Sequence, residues 1–470
     1  MRFSMLILLL IALTCSIYPM VSQAQTLPYP KDAEMVNTKA GDMIVNSGRL
    51  GDYEADFGIL IVPENRSKED SKLIQLPVVR VHSKNSSPAE PIFRFEGGPG
   101  GTNIKPNSLP GWLLENHDYV MVGYRGVDGS VSLDLPEFHN VLKSVKELLS
   151  TEGMKEIGET MTQGVQKLQD QGIDLAEYNI ISVVDDMEDA RKALGYEKIN
   201  ISGGSYGGAV CYTYCVRYPQ SINRNLMTEA AFPFNMGVSE PQDVDNQINR
   251  LNKLWNQDPA NTAKSDDIIN TIRNVLKTLP KEWNGTVIDP GRIKLNTFFS
   301  LYTKEMTNQT LNAFAAAEKG DYSGLAFVNA MWDSVVDMFN WGDLLAKTYS
   351  TKTGPDRDYE SEMDPPDSII GSPLSKLGWG LLKYTNWPIK PLPEEYQKIQ
   401  YTDVETLLVY GSKESGEGVK ERELPYFRKG QIAMLEDMGH MDVGAMQPEA
   451  FHHLDSMFFL KGIVDTSKFK

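Results

Sequence analysis

The chain has 470 residues, a length that suits two domains or one core with a large insertion. Its residues are 41% hydrophobic, which is enough for a sizeable buried core. The formal net charge of -17 argues against nucleic-acid binding, because an acidic surface repels the phosphate backbone. The same surface suits a protein with a cationic or amine-bearing ligand.

The N-terminus has the pattern of a secretory signal peptide over residues 1–24. Arg2 supplies a positive start, and the apolar run from Leu6 to Leu13 is too short to span a bilayer comfortably. Small residues at the end of the segment fit a cleavage site after Ala24. We therefore predict export to the periplasm or the medium, with no stable membrane insertion after the signal peptide is cleaved.

The first apolar runs predict strands at the edge of a sheet. Residues 57–62 and 73–81 are strand-like and flank a polar turn, which predicts an antiparallel hairpin. Residues 91–95 and 119–122 are two further short strands, and each continues into a glycine-rich turn.

Helices then alternate with short buried strands. This alternation predicts a mostly parallel sheet with right-handed crossovers. The predicted elements are helices over 141–167 and 181–194, a strand over 199–202, a turn over 203–208, a helix over 209–219 and a strand over 225–229.

The alternation stops in the second half of the chain. Residues 234–399 are mostly helical in pattern, which is far longer than an ordinary loop. Strand patterns return at 406–410 and 431–435, before a last helix over 448–460. We predict a core formed by residues 25–233 and 400–470, with a helical cap or lid domain over 234–399.

A serine motif follows the strand at 199–202. Residues 203–207 read Gly-Gly-Ser-Tyr-Gly, which fits the G-x-S-x-G pattern of a nucleophile elbow. In such an elbow the serine lies on a strained turn between a strand and a helix, and small residues allow close packing on both sides. Both flanking elements are predicted here, so Ser205 is the candidate nucleophile.

A nucleophilic serine needs two N–H donors for the oxyanion. The residue after the nucleophile, Tyr206, supplies one of them in this motif. The second is expected from a turn after an earlier strand, and the run Glu96 to Gly101 (EGGPGG) fits that place. We predict Gly98 as the second donor, with Gly97 as the alternative.

The base and the acid are expected after the last strands. His440 follows the last strand and is the candidate base. The candidate acid follows the strand at 406–410, where no Asp is present. We predict Glu414 as the acid that orients His440, with Glu417 as the alternative. No metal or organic cofactor is implied, and Cys211 and Cys215 fit buried core positions better than a disulfide.

These motifs together resemble a known family. GGPGG, YRGVDGS, DDMEDARKALGYEKINISGGSYGGAVCYTYCVRYP and the late GHMD are similar to the proline iminopeptidase and tripeptidyl aminopeptidase group of α/β-hydrolases. The resemblance covers about residues 57–232 and 405–460. It implies the α/β-hydrolase fold and an exopeptidase that releases one or a few residues, often with proline in or near the cleaved position, from a peptide N-terminus.

The resemblance also implies roles for individual residues. Acidic side chains near the cap hold the substrate's free amine in this family, and Glu96 and Glu229 are our candidates. Arg125 is expected to bind neighbouring loops below the site. The sequence departs from the family where Glu96 replaces a usual His and Glu414 replaces a usual Asp.

Two other functions fit the same residues. An esterase or lipase-like hydrolase would use the same serine, base and acid, since one fold hosts many chemistries. The ligand would then be a small acyl substrate rather than a peptide. A catalytically weak, hydrolase-like binding protein is the third alternative, and its only support is the missing Asp.

Overall fold

A computed structural model describes residues 27–31, 37–234, 236–351, 357–413 and 418–470. The predicted signal peptide and both candidate acids, Glu414 and Glu417, lie outside the described residues. Among the described residues, no helix is both long and apolar enough to cross a membrane.

Seven strands form the first part of the sheet. The first of them, β1, is absent from the predicted elements, because its sequence MIVNSGRL has no alternation of apolar and polar residues and most of its side chains are exposed or half-buried. The strands are β1 (Met43–Leu50), β2 (Tyr53–Pro63), β3 (Leu73–Val81), β4 (Ala89–Phe95), β5 (His117–Val122), β6 (Ile199–Gly204) and β7 (Ile222–Thr228).

Four helices belong to this part. The single helix predicted over 141–167 is wrong: two helices flank a break, in which Val145 is extended and Glu147 has a φ of 51°. The Ser150 side chain then accepts a hydrogen bond from the Gly153 amide and caps the second helix. The helices are α1 (Pro136–Ser144), α2 (Thr151–Asp170), α3 (Ile180–Ala193) and α4 (Tyr206–Arg217), with 3-10 turns at Leu175–Glu177 and Pro219–Ser221.

A mostly helical segment, called here the insertion (residues 241–397), separates β7 from the next strand of the main sheet. It also contains a small two-stranded sheet. Its elements are α5 (Pro241–Gln257), α6 (Pro259–Thr262), α7 (Ile268–Thr278), β8 (Glu282–Trp283), β9 (Thr286–Val287), α8 (Pro290–Ser300), α9 (Lys304–Ala317), α10 (Ser323–Ala330), α11 (Trp332–Asp337), α12 (Trp341–Ser350), α13 (Tyr359–Glu362) and α14 (Pro373–Gly380), with 3-10 turns at Leu381–Lys383 and Glu394–Gln397.

The chain then returns to the main sheet, where its last two strands pair in parallel. The C-terminal elements are β10 (Glu405–Gly411), α15 (Val419–Glu423), a 3-10 turn at Leu424–Tyr426, β11 (Gly430–Leu435) and α16 (Pro448–Lys461).

The main sheet has nine strands in the order β1-β2-β3-β5-β4-β6-β7-β10-β11. β1, β2 and β3 pair antiparallel, and β3 joins β5 antiparallel. All pairs from β5 to β11 are parallel. The predicted mostly parallel sheet is therefore confirmed.

The insertion shares the core of the sheet. Trp332, Trp341 and Trp379 of the insertion belong to the same buried cluster as Phe93 of β4 and Tyr206 of α4. A second cluster covers the opposite face of the sheet. A third lies inside the insertion itself and includes residues of α5, α7, α8 and α9. The insertion is thus packed partly on its own apolar residues and partly on the sheet.

Two predictions about buried residues are confirmed. Cys211 and Cys215 are buried, and both are free cysteines. Arg125 is 1% exposed, and its guanidinium binds both carboxylate oxygens of Asp186 at 2.6 and 2.7 Å. It also donates to three backbone carbonyls, those of Pro63, Glu64 and Glu177. Arg125 therefore joins the end of β2 to α3 and to the turn before α3.

Candidate active site

The carboxyl ends of the parallel strands meet at one edge of the sheet. Phe95 of β4 is level with Gly203 of β6, and Gly204 is level with Thr228 of β7. β10 and β11 end level with each other. Ligands of open α/β sheets bind outside this edge. Each predicted site residue that the structure describes lies in a segment that follows one of these strands.

Ser205 occupies a strained turn between β6 and α4. Its φ of 53° and ψ of -121° lie in a region that side chains rarely adopt. The Ser205 amide donates to the Thr228 carbonyl at 3.0 Å, and the Ser205 carbonyl accepts from the Ala231 amide at 3.1 Å. The turn is therefore fixed to the end of β7. This conformation is the one a nucleophile elbow requires.

The two outer glycines of the motif allow a close approach. A methyl group on Gly207 would overlap the Phe95 carbonyl oxygen, and one on Gly203 would overlap the Gly207 carbonyl oxygen. The helix α4 can therefore begin directly against β4 and β6 only with glycine at these positions. Local packing thus explains the G-x-S-x-G spacing.

The predicted oxyanion loop (Glu96–Gly101) lies beside the serine. An added Cβ on Gly97 would be 3.3 Å from Ser205 Cβ and 3.9 Å from Ser205 Oγ. An added Cβ on Gly98, whose φ is 130°, would meet only Gly100 and Gly101 of its own loop. Gly97, the alternative of the sequence analysis, is thus the glycine that faces the nucleophile. Which of the two donates to the oxyanion stays a prediction.

Tyr206 is the first residue of α4, so its amide has no acceptor within the helix. Its ring is buried and packs edge-to-face on Tyr124, with 5.8 Å between ring centroids. The Tyr124 hydroxyl donates to the Glu96 carbonyl at 3.1 Å. Tyr206 and the start of the oxyanion loop are therefore connected through these two rings.

Two polar residues that the sequence analysis did not identify support the oxyanion loop. The buried Asn103 side chain accepts from the Glu96 amide at 2.8 Å and donates to the Arg94 and Val122 carbonyls. Asp128 in turn accepts from the Asn103 amide at 2.8 Å. Burial raises the pKa of Asp128, although its hydrogen bonds oppose the shift. Asp128 lies within the YRGVDGS motif, whereas no local sequence pattern marks Asn103 as a support.

His440 lies in the loop that follows β11. Its ring stacks on Tyr302 with 4.7 Å between centroids and an angle of 25° between planes. The Met441 amide donates to the Tyr302 carbonyl at 2.9 Å. Asp442 accepts from the Gly439 amide at 2.9 Å and from the Lys304 amide at 2.8 Å. The turn between α8 and α9 of the insertion therefore holds the candidate base.

The segment that precedes the candidate acids runs beside this histidine loop. The Lys413 amide donates to the Met438 carbonyl at 3.0 Å, and Lys413 Nζ is 2.8 Å from Asp437 Oδ1. Burial opposes a charged carboxylate, but Lys304 and Lys413 outweigh it and lower the pKa of Asp437. Glu414 and Glu417 follow directly and stay predictions, since they lie outside the described residues.

Glu229 lies between the serine turn and the histidine loop. It is 5% exposed, has a φ of 42°, and directly follows Thr228, which binds the Ser205 amide. One carboxylate oxygen of Glu229 accepts from the Gly411 amide. A methyl group on Gly411 would overlap the Met438 carbonyl oxygen. The structure therefore shows a buried carboxylate in the segment that directly follows the partner of the Ser205 amide.

Glu96, the other predicted amine ligand, already binds two cations. Its carboxylate is 2.9 Å from Arg94 Nε and 3.2 Å from Lys105 Nζ. Burial alone would raise its pKa, but these charges outweigh burial and lower the pKa of Glu96 to about 2. A substrate amine would have to share this carboxylate with both cations. Its role in amine binding stays a prediction.

The described part of the chain has no group of three or more His, Cys, Asp or Glu side chains that could hold a metal ion. The arrangement that the structure does show is a serine on a strained turn, a glycine loop against it and a histidine loop at the same edge of a mostly parallel sheet. These features define the class of hydrolases built on an α/β sheet.

Comparison with known proteins agrees with this class. The model of a family described as the alpha/beta hydrolase fold matches residues 91–416. The match covers more than half of the chain, and the chain therefore belongs to the α/β-hydrolase fold family. No curated protein matches the chain.

Several solved structures are similar to the chain at low identity. A meta-cleavage product hydrolase from Pseudomonas fluorescens is 13% identical, with 83% of this chain and 96% of that chain covered and a TM-score of 0.39. A thermophilic esterase from Thermogutta terrifontis is 12% identical, with 85% and 98% covered and a TM-score of 0.38. An esterase from Exiguobacterium antarcticum is 10% identical, with 84% and 97% covered and a TM-score of 0.39.

Proposed function

We propose that the chain is a serine hydrolase that acts through an acyl-enzyme on Ser205. The observation that carries the proposal is the backbone of Ser205, whose φ of 53° and ψ of -121° hold it in an otherwise costly turn with Gly97 against its side chain. Strain of this kind is typical of a nucleophile elbow and has no evident structural purpose at a simple strand-to-helix turn.

The proposed reaction has two steps. Ser205 Oγ attacks the acyl carbonyl while His440 takes the hydroxyl proton, and the amides of Tyr206 and of Gly97 or Gly98 bind the oxyanion. The tetrahedral intermediate collapses as His440 gives the proton to the leaving group. Water then attacks the acyl-enzyme with His440 as base, which releases the acid and restores Ser205. Glu414 is the proposed acid that orients His440.

We propose further that the substrate is a peptide with a free N-terminus and that one or a few residues are released. The resemblance to the proline iminopeptidase and tripeptidyl aminopeptidase group supports this. Glu229 also supports it, because a buried carboxylate beside the serine turn suits a substrate ammonium group. Export to the periplasm or the medium is proposed on the signal-peptide pattern over residues 1–24.

A substrate panel tests the function. Purified mature protein is incubated with proline and alanine anilides, with tripeptide anilides that have free or blocked N-termini, and with a short acyl ester. The expected result is hydrolysis of the free but not the blocked peptides, and its loss in Ser205→Ala. Ester hydrolysis alone would replace the aminopeptidase with an esterase. No hydrolysis and no labelling of Ser205 by a fluorophosphonate would refute a serine hydrolase.

Two matched comparisons assign the other roles. His440→Ala should abolish hydrolysis, whereas His453→Asn should leave it unchanged, because His453 lies on α16 and binds Asp465 at 2.8 Å instead. Glu229→Gln should reduce the preference for free over blocked N-termini, and Glu96→Gln tests the same role for the other carboxylate. If neither variant changes that preference, both amine assignments are wrong.

Export is tested separately from activity. The full chain is expressed in a Gram-negative host, and the periplasmic fraction and the medium are analysed by N-terminal sequencing. A mature protein that begins at Gln25 is the expected result. A full-length protein in the cytoplasm would refute the signal peptide without affecting the assignment of Ser205.

A further inference from the structure

A buried ion pair connects the insertion to the oxyanion loop. Asp343 and Lys347 lie one turn apart on α12, and both side chains are 0% exposed. Lys347 Nζ is 2.7 Å from Asp343 Oδ2. A charge buried this deeply is retained only with a buried partner, so each residue depends on the other.

Asp343 reaches the oxyanion loop through Gly100. Asp343 Oδ2 accepts from the Gly100 amide at 3.2 Å, and the Asn340 amide donates to the Gly100 carbonyl at 2.9 Å. An added Cβ on Gly100 would lie 2.7 Å from the Asn340 carbonyl oxygen. The start of α12 therefore holds both polar groups of Gly100, three residues after the Gly97 that faces Ser205.

Lys347 reaches the other side of the site. Its Nζ lies 5.0 Å from the centroid of the Tyr124 ring and 5.7 Å from that of the Tyr206 ring. It also donates to the Arg125 carbonyl at 3.3 Å. The pair therefore touches the loop through Asp343 and the first residue of α4 through Lys347. These are the two segments that carry the predicted oxyanion donors.

The pair is poorly solvated. Among the described residues Asp343 Oδ1 has no hydrogen-bond partner. Burial raises the pKa of Asp343 to about 6, although Lys347 opposes the shift. Two apolar side chains would fill the same space without this desolvation. The chain has an ion pair at this place instead of two apolar side chains, which indicates that the hydrogen bonds and charges of the pair have a role of their own.

We propose that Asp343 and Lys347 are positioning residues that hold Gly100 and Tyr206 so that the two oxyanion donors converge on one point. The inference rests on the proposed serine hydrolase function. Neither residue touches substrate. The insertion thus serves as a fixed support of the catalytic geometry.

Two double variants test the proposal without leaving a buried charge. Asp343→Leu/Lys347→Met removes the pair and the acceptor for the Gly100 amide. Asp343→Asn/Lys347→Met also removes both charges but keeps a carbonyl oxygen for that amide. The two variants therefore differ at position 343 chiefly in the ability to hydrogen-bond Gly100.

The assay is steady-state hydrolysis of the anilide or ester that the parent cleaves fastest, with thermal melting to confirm folding. Losing a whole oxyanion donor lowers kcat by about 10²–10³-fold, so a displaced donor in the Leu/Met variant should lower kcat about 10–100-fold with little change in KM. The Asn/Met variant should recover about tenfold of this loss. Affinity for a trifluoromethyl ketone, which forms a tetrahedral adduct, should fall in parallel with kcat.

A control variant and the outcomes that would overturn the inference complete the test. Lys294→Met breaks another ion pair of the insertion, 2.7 Å from Asp364, and should leave kcat unchanged. Parental kcat in a folded Leu/Met variant would overturn the inference, as would equal kcat in the two double variants. A parent that neither hydrolyses the panel nor labels at Ser205 would instead refute the proposed function on which the inference rests.

Discussion

Arg125 offers the sharpest test of what holds the fold together. Its guanidinium donates to both oxygens of Asp186 and to three backbone carbonyls, and its side chain is 0% exposed. Removing one partner of a buried ion pair costs about 3–5 kcal/mol of the free energy of unfolding. Arg66 also binds Asp186, at 2.6 Å, so the carboxylate keeps one cation. We therefore expect Arg125→Met to cost about 3 kcal/mol.

The matched control is Arg66→Met. Arg66 binds the same carboxylate, but its side chain is 27% exposed and Arg125 would remain. We expect this variant to cost about 1 kcal/mol. Equilibrium unfolding in urea, followed by tryptophan fluorescence, gives both values, provided that the dependence of the free energy of unfolding on urea concentration is unchanged. Equal costs, or a loss below about 1 kcal/mol for Arg125→Met, would refute the reasoning that burial decides the difference.

Three further predictions concern other elements. Gly207→Ala should abolish fluorophosphonate labelling of Ser205, because its methyl group would overlap the Phe95 carbonyl oxygen; labelling at the parental rate would contradict this. Tyr302→Leu should lower kcat about tenfold and change KM little, since the ring that stacks on His440 is lost; a change confined to KM would instead indicate a role in substrate binding. Burial raises the pKa of Asp455 to about 7 despite its hydrogen bonds from Trp112. Between about pH 4 and pH 7, Asp455 therefore keeps its proton in the folded protein but loses it in the unfolded chain. The free energy of unfolding should then fall as the pH rises through this range, by up to about 1.4 kcal/mol per pH unit for this group. Asp455→Asn should remove this contribution to the pH dependence. Urea unfolding midpoints of the parent and the variant, each measured at pH 5 and at pH 7, test this.

The nucleophile turn could be predicted because its determinants are local. Two glycines, a preceding apolar strand and a following helix lie within twenty residues of Ser205, and close packing explains the two glycines. The strand pattern predicted the parallel part of the sheet for the same reason. Short buried strands carry apolar side chains on both faces, so their sequences are distinctive.

The parts that were missed either lack a distinctive local pattern or depend on partners far along the chain. β1 is an edge strand that pairs with the adjacent β2, and its apolar residues stand together before a polar run, so no apolar alternation marks it. The break between α1 and α2 arises at a capping serine within a continuous helical pattern. Asp343 and Tyr302 contact loops that lie more than one hundred residues away, at Gly100 and His440. Nothing in their immediate neighbours indicates such contacts.

The position of β10 has a consequence for how the chain folds. β7 ends at Thr228, and its parallel partner β10 begins only at Glu405, after the whole insertion has been made. During synthesis, β7 therefore presents an unpaired edge for a long stretch of chain, and open edges favour pairing between molecules. We expect a chain that ends before Glu405 to aggregate, which light scattering would show, whereas the complete chain closes this edge with its own last strands.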